Sequence, residues 1–477
     1  MQNTNTIFDL VIIGSGPAGY TGAIRAAQLG MKVAIVEKNY YGGTCLNVGC
    51  IPSKSLLSFS KKYSDLTKLA DIGINIPNNS KENKTRVDIK KMISKKDDII
   101  SELRQGTKYL FKKNNITSFK GNGKIISNEQ IIISNKDQEE TIISGKKIII
   151  ATGSSIITLN GIKIDEQNIL SSTGALSMQE IPDEMLVIGG GYIGLELGLV
   201  WTRLGTKVTV IEYVDRIVPA CDNEISLKLK SYLEEQGVKF LLSHKLESVN
   251  EEKNKRLKAL IKNITNNQEQ YIDTDKILIA VGRKPNTDNL FDENNVNIKQ
   301  DDYGRIITDK NYQTSVNNIY AVGDVITGPS LAHKAEEEAV CAVERMNKIY
   351  SHVNYDLIPS VIYTDPEVAM IGMTEQQLKD KNIDYKVGKF PFAANSMSKA
   401  CLDNKGFVKI LADSKSDQIL GAHIIGREAG TMIAQIAAYM EFGGSSEDLY
   451  RTCHAHPTLN EAIKEAALDI EKKAINM

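Results

Sequence analysis

Cysteine, excess charge and long apolar runs are all scarce in this chain of 477 residues. Six cysteines are too few for the disulfide framework of a secreted protein. Lysine and arginine number 58 against 59 acidic residues, and this balance predicts neither a nucleic-acid surface nor an acidic tail. The longest apolar runs, such as Leu10–Ile13 and Ile277–Val281, are as short as strands, so no membrane span is predicted.

The N-terminus also lacks a recognisable targeting signal. Residues 1–9 contain no basic patch and no leader-length apolar core, so we expect no signal or transit peptide. We therefore predict a bacterial cytoplasmic protein, with a processed mitochondrial matrix form as the alternative. The length suits two to four globular domains.

A glycine-rich turn follows the first apolar segment. The turn Gly14–Gly19 lies between a predicted strand, Phe8–Ile13, and a predicted helix, Pro17–Leu29. A second predicted strand, Lys32–Glu37, ends in an acid 23 residues after Gly14. Such glycines let the backbone approach a pyrophosphate, the helix N-terminus stabilises its charge, and the acid suits ribose hydroxyls. The order predicts a βαβ dinucleotide site.

The same pattern returns in the middle of the chain. A predicted strand, Met185–Ile188, leads into the glycines of Gly189–Gly194 and a predicted helix, Ile193–Leu204. The next predicted strand, Lys207–Glu212, ends in an acid 23 residues after Gly189. One glycine fingerprint alone is weak evidence, whereas two complete copies predict two bound dinucleotides.

The remaining segments differ in their sequence patterns. Residues 60–115 have helical spacing, and residues 121–144 alternate like short strands. Asp324 ends a predicted strand and suits either a ligand hydroxyl or an ordinary helix N-cap. From about residue 352 onward, alternating strands and a last helix, Leu459–Lys473, predict a separate α+β domain.

Cys45 and Cys50 are the only cysteines close in sequence, and they lie in a stretch that begins five residues after Glu37. Five residues of regular α-helix rise about 7.5 Å, beyond the roughly 4.4–6.8 Å between Cα atoms that a disulfide tolerates. A bridge therefore requires an interrupted helix, for which Gly49 and Pro52 are suited. A short bridge near a helix start is easily reduced, so we predict a redox-active disulfide rather than a structural one.

The other cysteines are scattered, and we expect them to be buried or half-buried thiols at Cys221, Cys341, Cys401 and Cys453.

Three other positions carry ionisable groups of interest. Lys54, one turn past Cys50, suits either a cation beside a flavin or a solvated surface lysine. Glu196 suits either the helix dipole or a pair with Lys54. His456, with Glu461 five residues later, suits a base with an orienting carboxylate, or a surface histidine. No spacing of histidine and cysteine predicts a metal site.

These residues resemble the dihydrolipoamide dehydrogenase branch of the flavin disulfide oxidoreductase family, from Phe8 to about Ala466. The motifs that carry the resemblance are GGTCLNVGCIPSK at 42–54, GGGYIGLELGLVWTRLG at 189–205, AVGRKPNT at 280–287, YAVGDV at 320–325, YTDPEVAMIG at 363–372 and CHAHPTLNEA at 453–462. The resemblance implies an α/β fold with two Rossmann-like domains, for FAD and NAD, and a C-terminal α+β dimerisation domain. The implied boundaries are 1–154 for the first part of the FAD domain, 155–281 for the NAD domain, 282–351 for a central part completing the FAD site, and 352–477 for the interface.

The resemblance also implies residue roles. Cys45 is the thiol that meets the substrate, and Cys50 is the thiol beside the flavin. Lys54 lies near the flavin and pairs with Glu196. His456 is the base and Glu461 orients it; in this family the base comes from the other subunit, so we expect a homodimer.

The implied cofactor contacts form two sets. The FAD set is Gly14, Gly16, Gly19, Glu37, Lys54, Gly121, Thr152, Gly153, Ser154, Asp324 and Ala332. The NAD set is Gly189, Gly191, Tyr192, Ile193, Gly194, Glu212, Leu246 and Gly282. Tyr192 suits either a gate over the flavin or simple packing.

The implied reaction is the oxidation of protein-bound dihydrolipoamide to lipoamide with NAD⁺. The implied partners are lipoyl domains of 2-oxoacid dehydrogenase complexes (E2) or the glycine cleavage H protein, with no nucleic acid and no membrane.

Several rivals share parts of this pattern. Glutathione reductase has the thiol pair but prefers NADPH, and Glu212 would repel a 2′-phosphate, although Arg216 nearby would attract one. Mercuric reductase would show a C-terminal cysteine pair, and this chain ends Ala474–Met477. A soluble transhydrogenase would lack the thiol pair, and a non-catalytic flavoprotein would have lost an active-site residue.

Overall fold

The computed structural model describes residues 2–74, 86–252, 256–292 and 294–477. The chain divides into two compact units, each assembled from three segments. The first unit comprises Met1–Ser55, Lys90–Ile157 and Gly282–Val353, and the second comprises Leu56–Ile89, Thr158–Val281 and Asn354–Met477. Each unit contains one glycine fingerprint. The four boundaries given above stay a prediction.

A parallel five-stranded sheet forms the centre of the first unit. In spatial order its strands are Ile319–Ala321, Ile148–Ile150, Leu10–Ile13, Val33–Glu37 and Thr117–Lys120. The three central strands are buried along their whole length, which explains their uninterrupted apolar sequences. The chain runs from the central strand Leu10–Ile13 to Val33–Glu37 and Thr117–Lys120 on one side, and then returns to Ile148–Ile150 on the other side. This reversal of strand order is where doubly wound sheets bind ligands.

Two smaller sheets complete the first unit. The four-stranded sheet has the order Gln2–Phe8, Glu140–Gly145, Gln130–Ser134 and Asn122–Ile125, and a two-stranded ribbon pairs Ser154–Ile156 with Arg283–Pro285.

The second unit repeats the parallel sheet and adds two antiparallel ones. The parallel sheet has the order Ile169–Leu170, Lys276–Ile279, Glu184–Ile188, Lys207–Glu212 and Lys239–Leu242. The three-stranded sheet contains His244–Glu251, Leu257–Asn263 and Glu269–Thr274. The C-terminal sheet has the order Ser360–Ile362, Glu367–Gly372, Ile419–Gly426, Phe407–Asp413 and Tyr385–Pro391.

The described α-helices are Pro17–Gln28, Gly43–Val48, Cys50–Asp65, Ile89–Lys113, Ser172–Ala175, Tyr192–Leu204, Asn223–Glu235, Ala332–Met346, Glu375–Asp380, Ser396–Ala400, Ala429–Glu441, Ser446–Arg451 and Glu461–Asp469. Within residues 2–74, 86–252, 256–292 and 294–477, no helix is both long and apolar enough to span a membrane. The fold class predicted from the sequence, two dinucleotide-binding folds followed by an α+β part, is confirmed. Part of the helical segment at 60–115 lies outside the described residues.

Two predicted elements differ from the structure by more than one residue at an end. The predicted strand Phe8–Ile13 is split at Asp9, where a carboxylate oxygen accepts the backbone N–H of Lys32 at 2.8 Å and the chain changes sheets. The last helix is Glu461–Asp469, shorter than predicted, because Lys472 adopts φ +56° and the Lys473 N–H turns back to the Leu468 carbonyl at 3.0 Å.

Candidate functional site

Cys45 and Cys50 form a disulfide in the first unit, with their Cα atoms 4.6 Å apart. Cys45 lies in the short helix Gly43–Val48, and Cys50 begins the long helix Cys50–Asp65. Gly49 separates the two helices with φ −137° and ψ −110°. The interrupted helix is therefore what brings the Cα atoms within bridging distance, as the spacing required.

The break depends on the missing side chain of Gly49. A Cβ atom there would lie 2.9 Å from the Thr44 carbonyl oxygen and 3.2 Å from the Cα of Cys45. Real Cβ atoms essentially never come closer than 3.0 Å to another heavy atom, so an alanine would force the backbone at this break to shift. Both bridged cysteines are half-buried, which leaves the bond within reach of a substrate thiol.

The remaining cysteines have different surroundings. Cys221 and Cys341 are buried and Cys401 is half-buried, as expected, whereas Cys453 is exposed on a loop before the last helix. Burial, and then the charge of Asp222, raises the pKa of the Cys221 thiol to about 12. Such a thiol stays protonated and unreactive at neutral pH.

Lys54 and Glu196 lie in different units, and their pairing stays a prediction. Lys54 is half-buried, which argues against a fully solvated surface lysine. Glu196 is 3% exposed, and its carboxylate accepts the backbone N–H of Tyr363 at 3.0 Å. A carboxylate this deeply buried needs hydrogen-bond donors around it, more than a helix dipole alone supplies.

The first fingerprint is built by close backbone contacts. Gly14 adopts φ +101°, and a Cβ atom there would lie 2.3 Å from the Ala151 carbonyl oxygen. A Cβ atom at Gly19 would lie 1.9 Å from the Gly14 carbonyl oxygen. These two glycines therefore let the helix Pro17–Gln28 start directly against the sheet, with Gly16 as its N-cap.

Glu37 connects the end of its strand to the glycine turn. One carboxylate oxygen accepts the backbone N–H of Ser15 at 2.9 Å and its hydroxyl at 2.6 Å, and the other accepts the N–H of Asn39 at 2.7 Å. A carboxylate has about four lone-pair directions, so acceptor capacity remains for ribose hydroxyls. The Gly121 N–H donates to the Glu37 carbonyl at 3.0 Å, so Gly121, another predicted FAD contact, lies beside the acid.

A cavity of about 250 Å³ opens at the carboxyl ends of these strands, within the first unit. Its lining includes four of the predicted FAD residues, Gly14, Glu37, Gly121 and Thr152. The cavity lies at the point where strand order reverses, and it is lined by glycine backbone and by the strand-end acid Glu37. Both features fit the nucleotide part of FAD.

A second group of predicted FAD residues lies at neighbouring strand ends. Ser154 donates its hydroxyl to an Asp324 carboxylate oxygen at 2.5 Å and accepts the Arg283 Nε–H at 2.7 Å. Asp324 lies in a 3₁₀ turn, Gly323–Val325, and is not an α-helix N-cap. Ala332 is the first residue of the helix Ala332–Met346, and Gly153 has φ +69° with open space beside its Cα.

A buried ion pair fixes this turn. Lys334 and Glu338 have fully buried side chains 3.0 Å apart. Glu338 accepts the Gly323 N–H at 2.7 Å, and Lys334 donates to the Gly323 carbonyl at 3.2 Å. The ion pair therefore binds both the backbone N–H and the backbone carbonyl of Gly323, the residue before Asp324, and this fixes the turn that carries Asp324.

The second fingerprint has the same construction. Gly189 adopts φ +108°, and a Cβ atom there would lie 2.4 Å from the Ala280 carbonyl oxygen. A Cβ atom at Gly194 would lie 2.2 Å from the Gly189 carbonyl oxygen. Glu212 accepts the Gly190 N–H at 2.7 Å, and no described atom lies within 4 Å of a Cβ built at Gly191. The open space beside this backbone fits a pyrophosphate at the helix start.

The other predicted NAD residues are spread more widely. Tyr192 and Ile193 begin the helix Tyr192–Leu204, and the Tyr192 side chain is 40% exposed. Leu246 lies in the three-stranded sheet opposite Ile261. Gly282, with φ +124°, belongs to the first unit.

His456 and Glu461 meet near the C-terminus. The His456 Nδ1 lies 2.9 Å from one Glu461 carboxylate oxygen, and the other oxygen accepts the Thr458 N–H at 2.8 Å. Burial acts to raise the pKa of Glu461, but these two hydrogen bonds and the histidine charges outweigh it and lower the pKa. An ionised carboxylate only accepts, so Nδ1 carries the proton and Nε2 of the neutral ring keeps its lone pair for a substrate proton.

Sequence reasoning missed two residues that lie beside the predicted FAD contacts. Asn286 exchanges hydrogen bonds with the Thr152 turn: its amide donates to the Thr152 carbonyl at 3.0 Å, and the Thr152 hydroxyl donates to its carbonyl at 2.8 Å. Asn122 and Asn286 also line the cavity. Asn286 lies within the motif AVGRKPNT, which the sequence had singled out, whereas Asn122 carries no signal beyond its neighbour Gly121.

Among residues 2–74, 86–252, 256–292 and 294–477, no cluster of three or more histidine, cysteine or acidic side chains is arranged to hold a metal ion.

A bridged cysteine pair in a unit with a dinucleotide fold, together with a second copy of that fold, defines a disulfide oxidoreductase that uses pyridine nucleotides. Residues 8–339 match the Pyridine nucleotide-disulphide oxidoreductase family, and residues 358–467 match the dimerisation domain of the same family. The chain belongs to this family, and within it to the dihydrolipoyl dehydrogenases.

Full-length relatives support the narrower assignment. The mitochondrial dihydrolipoyl dehydrogenase of Pisum sativum is 45% identical over 471 residues, covering 98% of this chain and 92% of the relative. The dihydrolipoamide dehydrogenase of Chaetomium thermophilum is 48% identical over 474 residues, covering 98% and 92%. The solved structure of the HOCl-induced flavoprotein disulfide reductase RclA from Escherichia coli superposes with a TM-score of 0.83 at 27% identity, covering 95% of this chain and 98% of that one. The dimerisation-domain match supports the predicted homodimer.

Proposed function

We propose how individual residues of this chain carry out the dihydrolipoyl dehydrogenase reaction, which oxidises protein-bound dihydrolipoamide to lipoamide with NAD⁺. The observation that carries the proposal is the half-buried Cys45–Cys50 disulfide, held across Gly49 in the unit that contains the first fingerprint. Bound FAD supplies the two-electron carrier between this cysteine pair and NAD⁺. Gly14, Glu37, Gly121 and the Thr152 turn would hold its nucleotide part.

The first half of the reaction is a thiol–disulfide exchange. A thiolate of the substrate attacks the Cys45 sulfur, the Cys45–Cys50 bond breaks, and Cys50 leaves as a thiolate. The second substrate thiol then displaces Cys45 from the mixed disulfide and closes lipoamide. Two electrons have moved from substrate to enzyme, which now holds the dithiol, and NAD⁺ is their final acceptor.

His456 of the partner subunit is the base that creates the attacking thiolate. Its Nε2 takes the thiol proton, and the Glu461 carboxylate stabilises the resulting imidazolium through Nδ1. The lowered pKa of Glu461 supports this role, because the carboxylate stays ionised at the pH where the histidine works. Substituting His456→Gln should therefore slow dihydrolipoamide oxidation by about 10²–10⁴-fold while leaving bound flavin in place.

Lys54 and Glu196 serve the flavin side of the site. We place the Lys54 ammonium near the flavin, with the buried Glu196 carboxylate as its partner. The half-burial of Lys54 and the 3% exposure of Glu196 support the pairing, since each charge needs an opposite one.

The second fingerprint binds NAD rather than NADP. Glu212 is placed by the Gly190 N–H and the Val214 N–H at 2.7 and 3.0 Å, so its carboxylate is fixed where an adenosine ribose would lie. A 2′-phosphate there would meet a negative charge. Arg216, the residue that favoured NADP, instead donates to Asn223 at 2.6 Å and to the Pro219 carbonyl at 3.2 Å.

Substitution of the cysteines tests the catalytic proposal. Cys50→Ser should lower turnover of dihydrolipoamide by roughly 10³-fold or more, because the exchange loses its leaving thiolate. Flavin content and electron transfer from NADH to a dye acceptor should persist. Cys401→Ser is the matched control, since Cys401 is a half-buried free thiol. Full turnover of dihydrolipoamide by the Cys50→Ser enzyme would overturn the proposal. Glutathione and NADP⁺, assayed in parallel, would reveal the substrate and cofactor specificity of a glutathione reductase.

We also propose lipoyl domains, of E2 components or of the glycine cleavage H protein, as the protein partners. The thiols at Cys221, Cys341, Cys401 and Cys453 are free, which supports a compartment that keeps thiols reduced, such as the bacterial cytoplasm predicted from the sequence or a mitochondrial matrix. Kinetics with isolated lipoyl domains against free dihydrolipoamide, and fractionation of the source cell, test these two statements.

A further inference from the structure

Asn47 lies between the two bridged cysteines and has hydrogen bonds at both ends of its side-chain amide. Its Nδ2 donates to the Tyr41 carbonyl at 3.0 Å and to the Gly43 carbonyl at 2.8 Å. Its Oδ1 accepts the Nε–H of Arg104 at 2.9 Å. Asn47 is 9% exposed, so these partners replace water for most of the amide.

Arg104 lies in a segment for which no function was predicted from the sequence. It lies in the helix Ile89–Lys113, 57 residues beyond Asn47, and both belong to the first unit. Its guanidinium carbon is 4.1 Å from the ring centroid of Tyr40. A guanidinium stacked on an aromatic ring is held in one plane, which aims its Nε–H at the Asn47 oxygen.

The contact matters because the segment it reaches is too short to hold its position by itself. The helix Gly43–Val48 has six residues, and its N-cap Gly42 provides no side-chain hydrogen bond. Helices this short are not stable by themselves, so tertiary contacts decide where they lie. Asn47 connects this helix both to the turn before it and to the long helix of Arg104.

We propose that Arg104, acting through Asn47, is a positioning residue that holds Cys45 at bridging distance from Cys50 and thereby sets the balance between disulfide and dithiol. This inference rests on the redox role proposed for the two cysteines. The disulfide form demands a short Cα separation, observed at 4.6 Å, whereas the dithiol form does not. A less firmly held segment therefore destabilises the disulfide form more than the dithiol form.

The direction of the effect follows from this difference. Arg104→Gln, which removes the Nε donor, should shift the equilibrium about tenfold towards the dithiol. For a two-electron couple this is a midpoint potential more positive by about 30 mV. Asn47→Asp should shift it the same way, because a carboxylate keeps the acceptor for Arg104 but has no donor for the Tyr41 and Gly43 carbonyls.

Two further variants separate hydrogen bonding from charge. Lys112→Gln removes a positive charge from an exposed position of the same helix and should leave the equilibrium unchanged. Arg104→Lys keeps a charged donor without the planar guanidinium, so its shift should be smaller than that of Arg104→Gln.

The measurement uses the flavin-loaded dimer equilibrated in dithiothreitol buffers of graded potential. Free thiols are trapped with a maleimide, and the peptide that contains both cysteines is quantified by mass spectrometry. Thermal unfolding of each variant is recorded beside it. This titration reports the cysteine couple directly and does not depend on turnover.

The inference is supported if Arg104→Gln shifts the couple and Lys112→Gln does not, with similar unfolding temperatures. It is overturned if the two variants titrate alike. Should Asn47→Asp fail to fold, the Arg104→Gln and Lys112→Gln pair decides alone. A wild-type protein without any reversible couple at these cysteines would instead refute the proposed function.

Discussion

The two glycine fingerprints offer a comparison within one chain. In both, a glycine with φ near +100° lies against the carbonyl of the residue that follows a neighbouring strand: Gly14 against Ala151, and Gly189 against Ala280. In both, an acid 23 residues later accepts the backbone N–H of the turn residue that follows the glycine. Both fingerprints therefore use the same two backbone contacts to join strand, turn and helix.

They differ in what covers the start of the helix. Gly43, which opens the redox segment, packs so tightly on the first fingerprint that a Cβ atom there would lie 2.4 Å from the Cα of Gly16. A Cβ atom built at Gly191 meets no described atom within 4 Å. Glu37 is also buried at 7% exposure, whereas Glu212 is half-buried. The first site is enclosed by its own chain, which suits a resident FAD, and the second is open, which suits an exchanging NAD.

Alanine at the strained glycines should separate the two sites most strongly. Gly14→Ala and Gly189→Ala meet nearly equal clashes, and a positive φ alone costs a non-glycine residue about 1–3 kcal/mol. We expect Gly14→Ala to yield protein without bound flavin and with a lower unfolding temperature. Gly189→Ala should keep its flavin and accept electrons from dihydrolipoamide, but lose reduction by NADH. Flavin absorbance and anaerobic reduction measure both outcomes, and flavin loss in both variants would contradict the comparison.

A second pair probes the covering contact itself. Gly43→Ala forces a Cβ atom onto Gly16 from a residue with φ +61°, so we expect lower flavin occupancy and an unfolding temperature several degrees lower. Gly191→Ala adds a methyl group in open space at an ordinary φ of −79°, so the unfolding temperature should not change and only the KM for NADH should rise. Equal unfolding temperatures for the two variants would show that the redox segment does not brace the first site.

The sequence predicted much of this construction because its signals are local. Glycines at fixed spacing, buried strands and strand-end acids all lie within 23 residues of each other, so both fingerprints, and the need for a helix break between Cys45 and Cys50, could be derived from the sequence. The contact of Asn286 with the Thr152 turn joins residues 134 apart, and that of Arg104 with Asn47 joins residues 57 apart. Such pairs leave no periodic trace in one sequence, and only the fold brings them together.

Replacing the strand-end acids, Glu37 and Glu212, by glutamine should have the smallest effect on activity, and it should distinguish the cofactor that each fingerprint binds. In Glu212→Gln one amide group replaces a carboxylate that is half-buried and faces an open site, so the charge that repels a 2′-phosphate disappears. We expect the preference for NADH over NADPH to fall by about tenfold, equivalent to about 1.4 kcal/mol, with flavin binding intact.

Glu37→Gln makes the same substitution at a buried carboxylate, one oxygen of which accepts both the N–H and the hydroxyl of Ser15. We therefore expect this variant to release flavin faster, with no change in its preference between NADH and NADPH. Steady-state kinetics with both nucleotides, together with flavin release into a filtrate, distinguish the two. If Glu37→Gln changed the nucleotide preference and Glu212→Gln did not, the assignment of FAD to the enclosed fingerprint and of NAD to the open one would have to be reversed.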